Sequence, residues 1–240
     1  MFGNRTYRSK ILKSGLTSFN VTVKETNLHI QADCDLTDKA VQAVLKCREY
    51  IEKYIEKNPD FATSLVPISV RGIAPGIINK MINAGKDANV GPMAAIAGSI
   101  AEYTGKALLK KSNEVIVENG GDIFIKSNSE TVFTIFANQS PLSMKTGIRI
   151  GKREAPYALC TSSGTVGHSL SYGKADAVTI FSASATLADA MATSLGNLIK
   201  KPDDIEKVIN IGKKIQGILG IVIIKDKNIG LWGDIKIVKL

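Results

Sequence analysis

The sequence predicts an α+β fold with a mostly antiparallel sheet and helices packed on it. Three observations lead there. Short alternating or apolar runs, bounded by Gly, Asn, Asp and Ser, recur near both ends and in the middle of the chain. Stretches with helical periodicity interrupt them rather than alternating one for one with them, which argues against a parallel βαβ design. Several strand-like runs are joined by tight polar turns, as at Asn119-Gly120-Gly121, and such turns pair neighbours antiparallel.

In order, Tyr7 to Leu12 reads as a strand, Ser14-Gly15 as a turn, and Phe19, Val21 and Val23 as the inner face of the next strand. A turn at Glu25-Thr26-Asn27 leads into Leu28 to Ala32, where alternation puts His29 on the face away from Leu28 and Ile30 and predicts a solvated histidine. Val41, Val44, Leu45, Ile51, Tyr54 and Ile55 recur at helical spacing, with Asp35 or Thr37 as N-cap and Asn58-Pro59 as the stop. Cys47 inside that helix is a core or boundary thiol. Pro67 and Pro75 break the next runs, and Ile77 to Ala84 predicts a short helix. From Gly91 to Ala101 a proline near the first helical position opens a helix of very small residues, so another backbone or a ligand must approach it closely. Glu114 to Glu118, Asp122 to Lys126, Thr131 to Ala137 and Lys145 to Ile150 continue the strand pattern. Ala158-Leu159-Cys160 is a strand, Thr161 to Gly164 a turn, Ala177 to Phe181 a buried strand, and Thr186 onward a second small-residue helix N-capped at Ser184. Pro202 starts a helix reaching about Gln216, and a β tail follows through Ile218 to Ile224, Ile229 to Trp232 and Ile235 to Val238. A small-residue helix beside a glycine- or hydroxyl-rich turn occurs twice, which suggests two related halves. We expect residues 1–240 to form one domain of two intimately packed halves without a linker.

Composition narrows the function. Hydrophobic content of 44% and charged content of 22% are those of a globular protein. No apolar run approaches the roughly 20 residues of a spanning helix, and no export signal follows the basic start, so a cytoplasmic protein without membrane partners is expected. Three cysteines without a Cys-x-x-Cys pair indicate neither a disulfide framework nor a zinc knuckle. The net charge of +9 is spread among acids and aromatic content is only 6%, so a solvated surface with some pull on phosphorylated ligands fits better than nucleic-acid binding.

The residues with chemistry cluster between Tyr157 and Lys200. Asp189 and Thr193 lie one helical turn apart and offer hard oxygens suited to Mg²⁺. Thr161, Ser162, Ser163 and Gly164 offer hydroxyls and main-chain donors for a phosphate or a ring carbonyl, or form a capped turn. His168 is a candidate general base or phosphate donor, or a histidine satisfied by a backbone carbonyl. Cys160 is a candidate nucleophile, or a buried structural thiol between Leu159 and the turn. No Walker loop, Rossmann fingerprint, serine-hydrolase elbow or paired-histidine zinc motif is present.

Four motifs, Val90-Gly91-Pro92-Met93-Ala94-Ala95-Ile96-Ala97-Gly98, Val117-Glu118-Asn119-Gly120-Gly121-Asp122, Cys160 to Ser169 and Ala188-Asp189-Ala190-Met191-Ala192-Thr193, occur in one order. Together they resemble an uncharacterised prokaryotic family related to the ApbE-type FAD:protein FMN transferases. The resemblance implies a T-fold-like ApbE-type domain holding a flavin dinucleotide such as FAD between its halves. It implies Mg²⁺ on Asp189, Thr193 and the Ala94 carbonyl. Cofactor contacts are implied at Gly120, Gly121, Asp122 and Thr161 to Gly164. Transfer of FMN to a hydroxyl of a protein partner is the implied activity, and T-fold relatives suggest a homo-oligomer. Relatives of the family also associate it with sulfur metabolism, in homocysteine formation, where Cys160 assisted by His168 would act. A non-catalytic ligand-binding protein is the third reading. Ala95 stands where the transferases carry a lysine, and His168 to Gly173 replaces their His-x-x-Asp-Pro-x-x-Gly stretch.

Overall fold

A computed structural model describes residue 13 and residues 15–164 and 172–240. It begins with β1 (Thr17–Val23), β2 (Thr26–Ala32), α1 (Thr37–Lys57), the short α2 (Asp60–Thr63) and α3 (Gly76–Ala88). A 3₁₀ turn, Pro92–Ala95, runs directly into α4 (Ile96–Leu108), followed by β3 (Val115–Asn119), β4 (Asp122–Lys126), β5 (Thr131–Thr134) and β6 (Thr146–Ile150). The remainder is β7 (Tyr157–Ser162), β8 (Ala177–Ser182), α5 (Ala185–Leu198), α6 (Asp204–Gly212), β9 (Ile218–Lys225), β10 (Asn228–Gly233) and β11 (Lys236–Lys239).

Each tight turn closes an antiparallel hairpin, and the hairpins join in one eight-stranded sheet ordered β1-β2-β3-β4-β7-β8-β9-β10. Hairpin, helices, hairpin therefore occurs twice, as β1-β2, α1 to α4, β3-β4 and as β7-β8, α5-α6, β9-β10. The halves meet where β4 pairs with β7, with Asp122 opposite Cys160. A second sheet, β11-β6-β5, contributes Phe133, Ile148 and Ile150 to a core shared with Ile123, Leu159 and Phe181 on one face of the large sheet. The other face carries the helices, with Leu28, Val117, Phe124, Cys160 and Ile180 packed under Val44, Ile100 and Met191. Covered on both faces, β8 is buried at every position, which explains its largely apolar sequence, with Thr179 and Ser182 as the buried polar residues.

The structure corrects several expectations. His29 does lie opposite Leu28 and Ile30, but it is buried, with Nδ1 at 3.0 Å from Asn20 Oδ1 and Nε2 at 3.3 Å from Ser18 Oγ on the neighbouring strand. Alternation along a strand assigns a side chain to a face, while burial depends on what packs over that face. Leu45 is exposed although it falls in the apolar spacing of α1. The small-residue stretch is a 3₁₀ turn plus a helix, and α6 stops at Gly212, short of Gln216. Asp35 accepts from the Thr37 N–H at 2.8 Å and its hydroxyl at 2.6 Å, supporting the helix start from outside it. Half-buried Trp232 packs against the helix-side core as expected. The strand expected at Tyr7 to Leu12 lies outside the described residues.

Candidate functional site

The site is built on the crossing of α4 and α5. A Cβ on Gly98 would fall 2.3 Å from the Ala185 carbonyl oxygen and 2.8 Å from the Asp189 Cβ, so only glycine lets the two helices meet this closely. The Gly98 N–H donates to Asp189 Oδ2 at 2.8 Å. Gly98 is the third residue of α4, and N–H groups of a first turn have no partner within their own helix. Asp189 of α5 thus caps α4, a use of its charge that the dipole of α4 favours.

The β3-β4 hairpin is tied to the same helix end, because Asn119 Nδ2 donates to the Ala97 carbonyl at 3.0 Å. Its loop is Gly120-Gly121, with φ of 69° and 117°. Two successive positive φ values are what a two-residue hairpin loop requires and what glycine supplies. The next residue, Asp122, faces the helices beside its register partner Cys160.

Two acids and a thiol are therefore buried together. Burial foremost, and then the charge of Asp189, push Asp122 well above the usual carboxylate range, against hydrogen bonding from the Cys160 thiol and the Thr161 main chain. Asp122 Oδ1 is buried without a hydrogen-bond partner. Burial raises Asp189 to about 7 although the Gly98 and Ala97 N–H groups pull it down. Cys160 has no exposed surface, and burial with the charges of Asp122 and Asp189 pushes its thiol far up. The thiol lies 3.4 Å from the Ala185 carbonyl, which competes with Asp122 for its one hydrogen. Buried carboxylates that feel each other's charge do not both stay ionised without a proton or a cation to offset them.

That demand tests whether Mg²⁺ fits. An orphaned carboxylate oxygen beside a second buried acid is the donor chemistry a hard cation takes. Thr193, half-buried one turn beyond Asp189, adds a hydroxyl, and Ala94 sits in the 3₁₀ turn ahead of Gly98. Among the described residues no three His, Cys, Asp or Glu side chains are arranged to hold a metal ion by themselves, so a cation here depends on hydroxyl, carbonyl and water oxygens, as Mg²⁺ commonly does.

The other expected residues divide. Thr161 and Ser162 belong to β7, not to a turn, so they point to opposite faces. The Thr161 hydroxyl is 2.8 Å from that of Thr179 on the side away from Asp189, and only its main chain, donating to the Gly121 carbonyl at 3.2 Å, touches the hairpin. The chain leaves the strand at Ser163 and Gly164, and the Gly164 N–H donates to the Ala175 carbonyl at 2.9 Å. His168 lies outside the described residues. The pairing of Asp122 with Asp189 is the feature that sequence reasoning missed. Its only sequence signal is an acid directly after the Gly-Gly loop.

Solved structures share this arrangement of helices and strands. The apo form of the flavinyl transferase ApbE of Pseudomonas stutzeri matches with a TM-score of 0.60 at 11% identity, over 90% of this chain and 94% of that one. The H257G mutant of the flavin transferase ApbE from Vibrio cholerae matches at 0.58 and 12%, over 90% and 96%. The fold is therefore the ApbE-type α+β fold. In sequence, the family model described as AbpE bacteria matches residues 9–230. A UPF0280 protein of Methanocaldococcus jannaschii is 42% identical over 224 residues, 90% of each chain. One of Archaeoglobus fulgidus is 41% identical over 225 residues, 90% of this chain and 92% of that one. This chain belongs to the ApbE-like UPF0280 family. Among the described residues no helix is long and apolar enough to cross a membrane.

Proposed function

We propose that this protein binds FAD or a related flavin nucleotide with Mg²⁺ where α4, α5 and the Gly120-Gly121 loop meet, and that it is a flavin-group transferase built as a single domain. The observation that carries the reading is the buried pair Asp122 and Asp189 with an unpartnered oxygen on Asp122. The flavinyl and flavin transferases that share the fold support the ligand class.

In this reading Asp189 and Asp122 supply carboxylates, Thr193 a hydroxyl and Ala94 a carbonyl to the cation. Mg²⁺ would supply charge neutralisation and polarisation at a pyrophosphate. Gly120 and Gly121 let the ligand approach the main chain, and Ser162, Ser163 and Gly164 offer donors from the other half. The Gly98 and Ala97 N–H groups orient the Asp189 carboxylate. The Cys160 thiol packs under α5 with no exposed surface, which disfavours the sulfur-relay reading.

The test is an FAD titration followed by flavin fluorescence, with Mg²⁺ and with EDTA. Binding should have a Mg²⁺-dependent component that strengthens from pH 6 to pH 8 as Asp189 with its value of about 7 ionises and weakens by about tenfold or more in Asp189→Asn. Absent binding at millimolar FAD with Mg²⁺, or binding indifferent to the cation, would overturn the proposal.

A further inference from the structure

On another side of α4 lies a cavity of about 620 Å³, within the usual range for small-molecule sites. It is the groove between α1 and α4, bordered by the start of α3. Neither Asp122, Asp189, Thr193 nor the Gly120-Gly121 loop lines it.

Six lysines do: Lys39, Lys46, Lys80, Lys106, Lys110 and Lys111. They come from α1, α3, α4 and the segment after α4, so the concentration is a product of the fold and not of a basic run in the sequence. The one carboxylate among the lining residues is Glu102, buried at the groove's floor. It is paired with Lys80 at 3.0 Å and with Lys106, so those two cations are balanced by a single charge. Among the described residues Lys39, Lys46, Lys110 and Lys111 form no ion pair closer than 4 Å, although the charge of Lys46 reaches Glu49 on its own helix. Lysines simply solvated on a helix surface need not converge. Here they face each other across a concavity, where like charges raise the local potential and an anion relieves them. The start of α3 has no side-chain cap and brings Gly76 and Ile77 to the same groove, adding the positive end of a helix.

The groove also has a wall for something flat. Tyr50 of α1 and Tyr103 of α4 meet edge to face, with ring centroids 6.5 Å apart and planes at 84°. Lys46 Nζ sits 5.9 Å from the Tyr50 ring centroid, next to that wall. A set of cations beside two aromatic rings matches a ligand with phosphates at one end and a planar ring at the other.

We propose that this groove is a second ligand site, binding a nucleotide of the nucleoside-diphosphate class with its phosphates on the lysines and its base against Tyr50 and Tyr103. Binding here needs no metal, because the lysines supply the positive charge, and it is independent of the flavin reading of the acid pair.

The test is calorimetric titration of the full chain in EDTA with ADP and, in parallel, with inorganic pyrophosphate. ADP should bind, more weakly as salt is raised. Lys46→Gln/Lys110→Gln should weaken both ligands by about tenfold or more, with an unchanged circular dichroism spectrum and an unchanged Mg²⁺-dependent component of the FAD titration. Tyr103→Leu should weaken ADP and leave pyrophosphate alone. No binding of ADP at millimolar concentration, a lysine double variant that binds as the wild type does, or ADP binding that appears only with Mg²⁺ would each overturn the site. Equal loss of both ligands in Tyr103→Leu would overturn the base-binding role, and capture of a single-stranded RNA oligomer in preference to ADP would overturn the ligand class.

Discussion

Gly98 decides how near α4 comes to α5, and through that distance whether Asp189 can reach the end of α4. A methyl group there meets a main-chain oxygen at 2.3 Å, and main chain cannot swing aside as a side-chain tip can. Gly98→Ala should therefore cost about 1–3 kcal/mol in urea unfolding and weaken Mg²⁺-dependent FAD binding with it. Unchanged values for both would show that the helices have slack. The thiols give a second prediction at this scale. Cys34 is exposed, Cys47 is buried with its thiol raised by burial to about 12, and Cys160 is buried and raised further by the acids beside it. A thiolate reagent at pH 8 should modify Cys34 alone in the native protein and all three cysteines in denaturant. Rapid native labelling of Cys160 would reopen a chemical role for it. Asp189 and Thr193 are legible as a pair in the sequence because one helical turn separates them. Asp122 enters the sequence reading only through the family resemblance, as a cofactor contact; spacing does not show it beside Asp189, since the β4-β7 register brings it there.

Among the elements, Glu102 is the side chain that fastens the helices to one another. Its Oε1 takes Lys80 of α3 and Lys106 of its own helix, and its Oε2 accepts from the Ser184 hydroxyl at 2.9 Å and the Thr186 N–H at 3.2 Å, at the start of α5. Burial pushes its pKa up, but Lys106 and Lys80 outweigh burial and hold it down to about 2. Both lysine side chains are about half exposed, at 55% and 50%, so they re-enter water readily when Glu102 is removed. The cost of Glu102→Ala lies mainly in the lost acceptor at α5, about 1–3 kcal/mol by thermal or urea unfolding. Glu102→Gln, which keeps an acceptor there, should cost less, and a larger loss for Gln than for Ala would contradict this assignment. The hairpins were legible because their turns carry their own signals. Thr161 and Ser162 were misread because hydroxyl residues favour turns locally, while pairing of β7 with β8 holds them extended. The lysine groove was not legible at all, since its cations stand far apart in the chain.

For the whole molecule, the order of hairpin, helices and hairpin occurs twice along the large sheet, where the sequence offered only two small-residue helices beside polar turns. The central acid pair also sets how stability depends on pH. Asp189 has a folded value of about 7 against 3.8 for the free carboxyl, and Asp122 is displaced in the same direction. A group raised on folding favours the native state fully below its unfolded value, and that advantage is lost as pH climbs through the folded value. Glu102 works oppositely. Held near 2 against 4.5, it stabilises above 4.5 and loses that contribution only as pH falls toward 2. Between about pH 4.5 and 7 the acid pair is left to govern the slope, and the urea midpoint in EDTA should fall across that window. Asp122→Asn removes one of the two buried charges and should flatten the fall, with the variant overtaking wild type above pH 7. Excess Mg²⁺ should restore the wild-type midpoint at pH 8 and do little at pH 5, because the cation competes with the protons of the same carboxylates. A midpoint that rises with pH in EDTA, in wild type and variant alike, would mean that the two carboxylates are solvated and have no need of a cation.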